Sequence, residues 1–193
     1  MRGGNGVRRL GVTALALAVV FSAYGVALAR VTDPIKIGVV ASRSGPLEYY
    51  GTMETRGLEL GIDYATKGTF EVLGRKIQII IEDDAGDPGM GVQKARKLIE
   101  NDKVDILQGS PSSGVALAVQ KVAEQYKKVF IVDPAAADSI TAENYNRYTF
   151  RTASNVSQDA IAGGKYAVRR LGKKAFHIAA DYAWGRQSAE AWG

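Results

Sequence analysis

LQGSPSSGVALAVQKVAEQYKKVFIVDPAAADSIT, running from Leu107 to Thr141, decides the fold. Val104 to Gln108 is a short apolar run of a length that suits a buried strand. Gly109 to Ser113 supplies turn residues, and Ser112 or Ser113 can cap a helix starting there. Val115, Val119, Val122, Ala123 and Tyr126 then recur at helical spacing, one apolar stripe, with Gln120, Lys121, Glu124 and Lys127 expected on the other side. Val129 to Val132 reads as another strand, broken by Pro134-Ala135-Ala136-Ala137. Both small-residue turns thus fall at the carboxyl ends of parallel strands, where open α/β sheets hold their ligands. A capped helix N-terminus there offers main-chain N–H groups to an anion.

Working back, Ile35 to Ala41 is almost continuously apolar, as a strand covered on both faces should be. A loop from Ser42 to Tyr50 leads into a helix expected from about Gly51 to Thr66. Leu58, Gly61, Ile62 and Ala65 are set inward there, and Glu54, Arg56, Glu59 and Asp63 outward. Gly57 and Gly61 are expected to let this helix approach the sheet. Phe70 to Leu73 and Lys76 to Glu82 read as a short strand turning into a main one. Asp87 then caps a helix with Pro88 at its first position, running to Asn101 with Val92, Ala95, Leu98 and Ile99 inward.

Working forward, Tyr148 to Arg151 is a further strand, and Ser157 is set as the cap of a helix. Ala160, Ile161, Gly164, Ala167, Val168 and Leu171 form its inward face. Phe176 to Ala180 reads as a buried strand carrying the lone His177, Asp181 to Gly185 as a loop, and Arg186 onward as the start of a helix. Strand-helix alternation with short loops means a parallel sheet with helices on both sides.

The chain has 193 residues, 46% hydrophobic and 23% charged, which is ordinary globular material. Residues 1–29 read as a secretory signal. Arg2, Arg8 and Arg9 form the positive region, Leu10 to Tyr24 the apolar stretch, and Ala27-Leu28-Ala29 the cleavage site, with the cut after Ala29. Removing those three arginines from 25 basic residues leaves 22 against 20 acidic ones, a balance that gives no reason to expect nucleic acid. There is no cysteine, so disulfides are excluded, and the mature protein is expected free in a periplasm.

IKIGVV, SGPLEYYG, RGLELGIDYA, LGRKIQIIIEDDAGDP, KARKLIENDKVDILQGSPSSGVALAV, VDPAAADSIT, NRYTFRTASN and DYAWG occur in that order. Together they resemble the solute-binding proteins of ABC importers, in the leucine/isoleucine/valine-binding type. The resemblance runs from Ile35 to the last residue. It implies a type I periplasmic binding fold, two α/β lobes closing on a ligand, with residues 30–152 the first lobe and 153–193 the start of an incomplete second. The second unit, with one helix and one strand, does not bury its own sheet, so the sequence is expected to be incomplete at its C-terminus.

Position by position, the resemblance makes Tyr50 a pocket aromatic and Ser112 and Ser113 the holders of a ligand carboxylate. It makes Ala135 and Ala137 contacts to the ligand's head, and Trp184 a cover from the second lobe. Where amino-acid-binding members often carry threonine, this chain has Ala137. Tyr49, Tyr50 and Trp184 suit a ring-bearing or fatty carboxylate as well as a branched-chain amino acid. The partner implied is an ABC permease in the inner membrane. No cofactor and no metal is expected.

Asp83, Asp84 and Asp87 read as strand-end and cap residues, since their spacing lacks a calcium-loop pattern. With a single histidine and no cysteine, the chain offers no residue set for zinc or for a cysteine nucleophile. An exported α/β enzyme would want a glycine fingerprint after the first strand, where this chain has ASRSGPLEYYG. A ligand-binding sensory ectodomain of the same fold is the other alternative.

Overall fold

The computed structural model describes residues 33–193, so the expected signal sequence and its cut after Ala29 lie outside the described residues. Six strands form one sheet in the order β2-β3-β1-β4-β5-β6. They are β1 (Ile35–Ala41), β2 (Glu71–Val72), β3 (Arg75–Asp83), β4 (Ile106–Gly109), β5 (Val129–Val132) and β6 (Thr149–Arg151). All neighbours are parallel except the short β2, which turns back on β3 through Leu73 and Gly74. Setting β2 aside, the chain winds one way from β1 to β3, then the other way to β4, β5 and β6. The reversal lies between β1 and β4, the point at which such sheets open a crevice beyond their carboxyl ends.

Helix α1 is Glu48–Thr66, α2 Pro88–Glu100, α3 Ser113–Tyr126, α4 Val156–Arg170 and α5 Ala183–Trp192. Right-handed crossovers wound in opposite directions place α1 on one face of the sheet and α2 and α3 on the other. The α2–α3 side holds the core. Ala95, Leu98 and Ile99 of α2 and Val115, Val119, Val122 and Ala123 of α3 are buried against Val40, Leu107, Phe130 and Val132 of the strands. Burying each of the larger side chains contributes about 1.5–3 kcal/mol. The caps fall where the sequence places them: the Asp87 side chain accepts from Met90 N, with Pro88 first in α2, and Ser112 Oγ accepts from Val115 N.

Several expectations are corrected. Helix α1 starts at Glu48, which puts Tyr49 and Tyr50 in its first turn instead of in a loop. Glu54, set outward by its charge, is 6% exposed, whereas Gly61 and Ala65, set inward, are exposed. The close approach comes at Gly51, whose added Cβ would stand 2.1 Å from Ser42 O; Gly57 and Gly61 face open space. Gly57→Ala is therefore expected to stabilise the protein by about 0.5–1 kcal/mol through helix propensity, read as a raised urea midpoint. Gln120 is buried, its amide donating to Asn144 O.

The cap of α4 is Asn155, not Ser157: Asn155 and Gln158 form a reciprocal capping box. Ile161, Val168 and Leu171, set inward, are exposed, and Phe176 to Ala180 is irregular, not a strand. Phe176 and Ile178 are 90% and 87% exposed, and His177 is exposed with them. A strand exists only by pairing, and among the described residues none lies beside this segment. No described helix is long and apolar enough to cross a membrane.

Candidate functional site at the carboxyl ends of the strands

The crevice between β1 and β4 is built on Asp84, just past the end of β3. Its carboxylate accepts from Ser42 Oγ at 2.6 Å, Ser110 Oγ at 2.7 Å and Gly86 N at 2.7 Å. Ser42 follows β1 and Ser110 follows β4, so one buried acid ties three strand ends together. Charge-assisted hydrogen bonds of this kind are about twice as strong as neutral ones. Next to it, Asp83 accepts from Arg43 N, Ser44 Oγ and Ala85 N, which fixes the loop leading into α1.

The turns after β4 and β5 are joined in turn. Ser113 Oγ accepts from Ala137 N at 3.2 Å, and Arg151 Nη1 donates to Ala137 O at 2.7 Å. Arg151 Nη2 reaches Thr141 Oγ1, and partial burial pulls this guanidinium below its usual range. Both main-chain polar groups of Ala137 are thereby occupied within the protein.

Above this floor lies a hollow of about 200 Å³, lined by Leu47, Tyr50, Pro111, Pro134, Ala136, Tyr182 and Trp184. Leu47 and Tyr50 come from the start of α1, Pro111 and Pro134 with Ala136 from the two turns, and Tyr182 and Trp184 from the start of α5. Tyr182 and Trp184 stand with ring centroids 6.0 Å apart; Tyr49 meets Tyr50 edge-on at 5.7 Å. Burial first, and the adjacent Tyr50 phenol second, push the Tyr182 hydroxyl up. Ligand pockets for drug-sized molecules run to about 300–1,000 Å³. A hollow below that range suits one ring or a short branched chain.

Of the residues singled out from sequence, Tyr50 and Trp184 line this hollow together. Ser112, Ser113, Ala135 and Ala137 lie in the two turns below it, each nearly or wholly buried. The turns meet the hollow through Pro111, Pro134 and Ala136 instead. Trp184 sits in the first turn of a helix, not in an irregular loop, and Gly185 behind it packs against Ala180 O. Sequence reasoning missed Tyr182, although it stands beside Trp184 in the DYAWG segment and an aromatic pair two residues apart was a readable signal.

Helix α1 brings one further group. Leu47, Tyr50 and Glu54 fall at i, i+3 and i+7, one stripe of the helix. Glu54 is buried one turn behind Tyr50, and neither of its side-chain oxygens has a hydrogen-bond partner. Burial, with the Asp133 and Asp84 carboxylates nearby, pushes its carboxyl up to about 9.

A larger hollow of about 520 Å³, lined by Asp138, Glu143, Glu190 and neighbouring polar side chains, lies away from the crevice and lacks aromatic walls. The smaller one is preferred because it lies at the strand-order reversal with apolar walls and few polar groups. Among the described residues, no group of three or more His, Cys, Asp or Glu is placed to hold a metal ion.

A family model described as "Periplasmic binding protein" matches residues 34–193. The Leu/Ile/Val-binding protein BraC3 of Rhizobium johnstonii is 30% identical over 158 residues, covering 81% of this chain and 42% of that protein. A crystal structure of an ABC-type branched-chain amino acid transporter from Rhodopseudomonas palustris is 44% identical with a TM-score of 0.69, covering 82% of this chain and 42% of that one. A solute-binding protein of an ABC transporter from R. palustris BisB5, in complex with 3,4-dihydroxybenzoic acid, is 30% identical with a TM-score of 0.74, again over 82% and 42%. The chain thus spans less than half the length of each of these relatives.

Proposed function

The chain belongs to the periplasmic binding protein family, and from that premise we propose that it captures a small carboxylate for an ABC importer. Residues 30–152 serve as the first lobe and 153–193 as the start of the second, with the ligand held between them. The ligand class is a branched-chain amino acid or a one-ring aromatic acid, delivered to a permease in the inner membrane. The family supports a periplasmic location and a receptor role in place of catalysis; export by cleavage after Ala29 belongs to the same proposal.

One observation carries this reading. An aromatic and proline-walled hollow stands at the carboxyl ends of the strands, shared between the turns after β4 and β5 and the rings of Tyr50, Tyr182 and Trp184. Apolar walls of this size take a ring or a branched aliphatic group, and the capped N-terminus of α3 next to Pro111 favours a carboxylate. The walls supply no side-chain nucleophile beyond the two tyrosine hydroxyls. Three aromatic walls lean toward the aromatic acid. The dihydroxybenzoate bound by the R. palustris BisB5 relative supports the same choice.

Tryptophan fluorescence, titrated with 3,4-dihydroxybenzoate, benzoate and leucine, tests it. A saturable change is expected with at least one of them. Trp184→Ala is expected to weaken that binding about tenfold or more, the loss of one aromatic wall worth about 1.5–3 kcal/mol. Silence toward all three acids overturns the reading.

A further inference from the structure

Glu54 is an anomaly behind the wall of the crevice, buried one helical turn from Tyr50. A buried carboxylate is ordinarily paired with a cation or held by several donors. Glu54 has neither: both side-chain oxygens are unpartnered, and no described Lys, Arg or His forms an ion pair with it, Asp84 or Asp133. The charged and titratable groups around it are the Asp84 carboxylate beyond β3, the Asp133 carboxylate beyond β5 and Arg43 beyond β1. Arg43 Nη1 donates to Thr55 Oγ1 and not to Glu54. An ionised Glu54 would therefore lie among like charges with no donor. As a neutral acid it escapes both the repulsion and the larger cost of burying a charge.

The residue shares a helical stripe with two walls of the hollow, Leu47 and Tyr50, and the start of α1 is held close to the sheet by Gly51 against Ser42. We propose that Glu54 is a positioning residue for Tyr50: buried as a neutral carboxylic acid beside Asp84 and Asp133, it seats the first turns of α1 over the strand ends. Ionisation drives the carboxyl toward water and lifts Tyr50 from the hollow. The wall is thus complete only while Glu54 keeps its proton. The consequence for ligand binding rests on the receptor reading above; the movement of Tyr50 does not.

The test separates the two. In a Trp192→Phe background Trp184 is the remaining tryptophan, since the chain has two. Its emission, followed from about pH 6 to about pH 10, reports Tyr50 leaving the shared wall. A transition near pH 9 is expected with Glu54 and not with Glu54→Gln, while tyrosine ionisation is common to both proteins. Affinity for 3,4-dihydroxybenzoate is expected to fall about tenfold across the same transition only where Glu54 is present, one pH unit of proton linkage corresponding to a factor of ten. A merely structural role would leave both proteins with the same pH profile, and identical profiles overturn the proposal.

Should Glu54→Gln fail to fold, the carboxyl ¹³C resonance of Glu54 in the otherwise unaltered protein decides. Titration near 9 supports the proposal, and titration near the ordinary 4.5 overturns it. Binding of none of the probes at any pH counts against the receptor reading alone, because the emission and the resonance still report on Glu54.

Discussion

Gly109→Ala is expected to cost about 4 kcal/mol or more, enough to abolish cooperative folding in a domain of ordinary stability. Gly109 closes β4 opposite Val40 of β1, with φ at +124°, a region that side-chain-bearing residues rarely enter. An alanine Cβ would stand 2.0 Å from Val40 O and 2.9 Å from its carbonyl carbon. Those atoms belong to a buried parallel pair and have no flexible end to move aside. Relief would require separating β1 from β4, and with them the Ser42 and Ser110 hydroxyls that Asp84 holds together. Urea unfolding followed by circular dichroism checks this. A midpoint close to that of the unaltered protein would contradict the packing described.

Glu54→Gln is expected to do the opposite at neutral pH. With the folded carboxyl pushed up to about 9 and an ordinary value of 4.5, the folded protein holds a proton that the unfolded chain releases between those limits. Stability contributed by the neutral acid is complete below 4.5 and is lost progressively as pH rises to about 9. At pH 7, roughly 2.5 pH units into that window, the loss amounts to about 3 kcal/mol. Glutamine does not titrate, so the variant gains on the original as pH rises and the two converge in acid. Urea midpoints from about pH 4 to about pH 8.5 measure the divergence; parallel curves would contradict it.

The core of this fold is legible in the sequence because period decides it. The apolar runs of β1 and β5 and the stripes of α2 and α3 need only their own residues to be read. What fails is anything that depends on who lies opposite. The stripe Ile161, Val168, Leu171 identifies an apolar face of α4 but not whether that face is covered, and Phe176 to Ala180 has strand chemistry without a neighbouring strand. Glu54 reads as a solvent-facing charge because a carboxylate ordinarily seeks water. Only the convergence of strand ends shows that its position on α1 points into protein.

The site divides along the same line. Tyr50 is named only by the family resemblance, whereas Trp184 also stands out by itself as a large aromatic in a segment that reads as a loop. In the turns, neighbouring residues point opposite ways, so Ala135 and Ala137 are buried while Ala136 between them faces the hollow. Residue type alone does not fix that register. Pro111 and Pro134 read as breakers of regular structure, and their second role as apolar walls emerges only when the two turns stand side by side.

The central claim is that this hollow is where a small acid is held. Calorimetric titration of the original protein and of Ala136→Trp with 3,4-dihydroxybenzoate, benzoate and leucine tests it most directly, since an indole at position 136 fills much of a space of about 200 Å³. The account predicts saturable heat from at least one acid in the original protein and none in the variant, with both giving the same far-ultraviolet circular dichroism. Equal affinity in the two proteins, or no heat from any acid in the original, would contradict it.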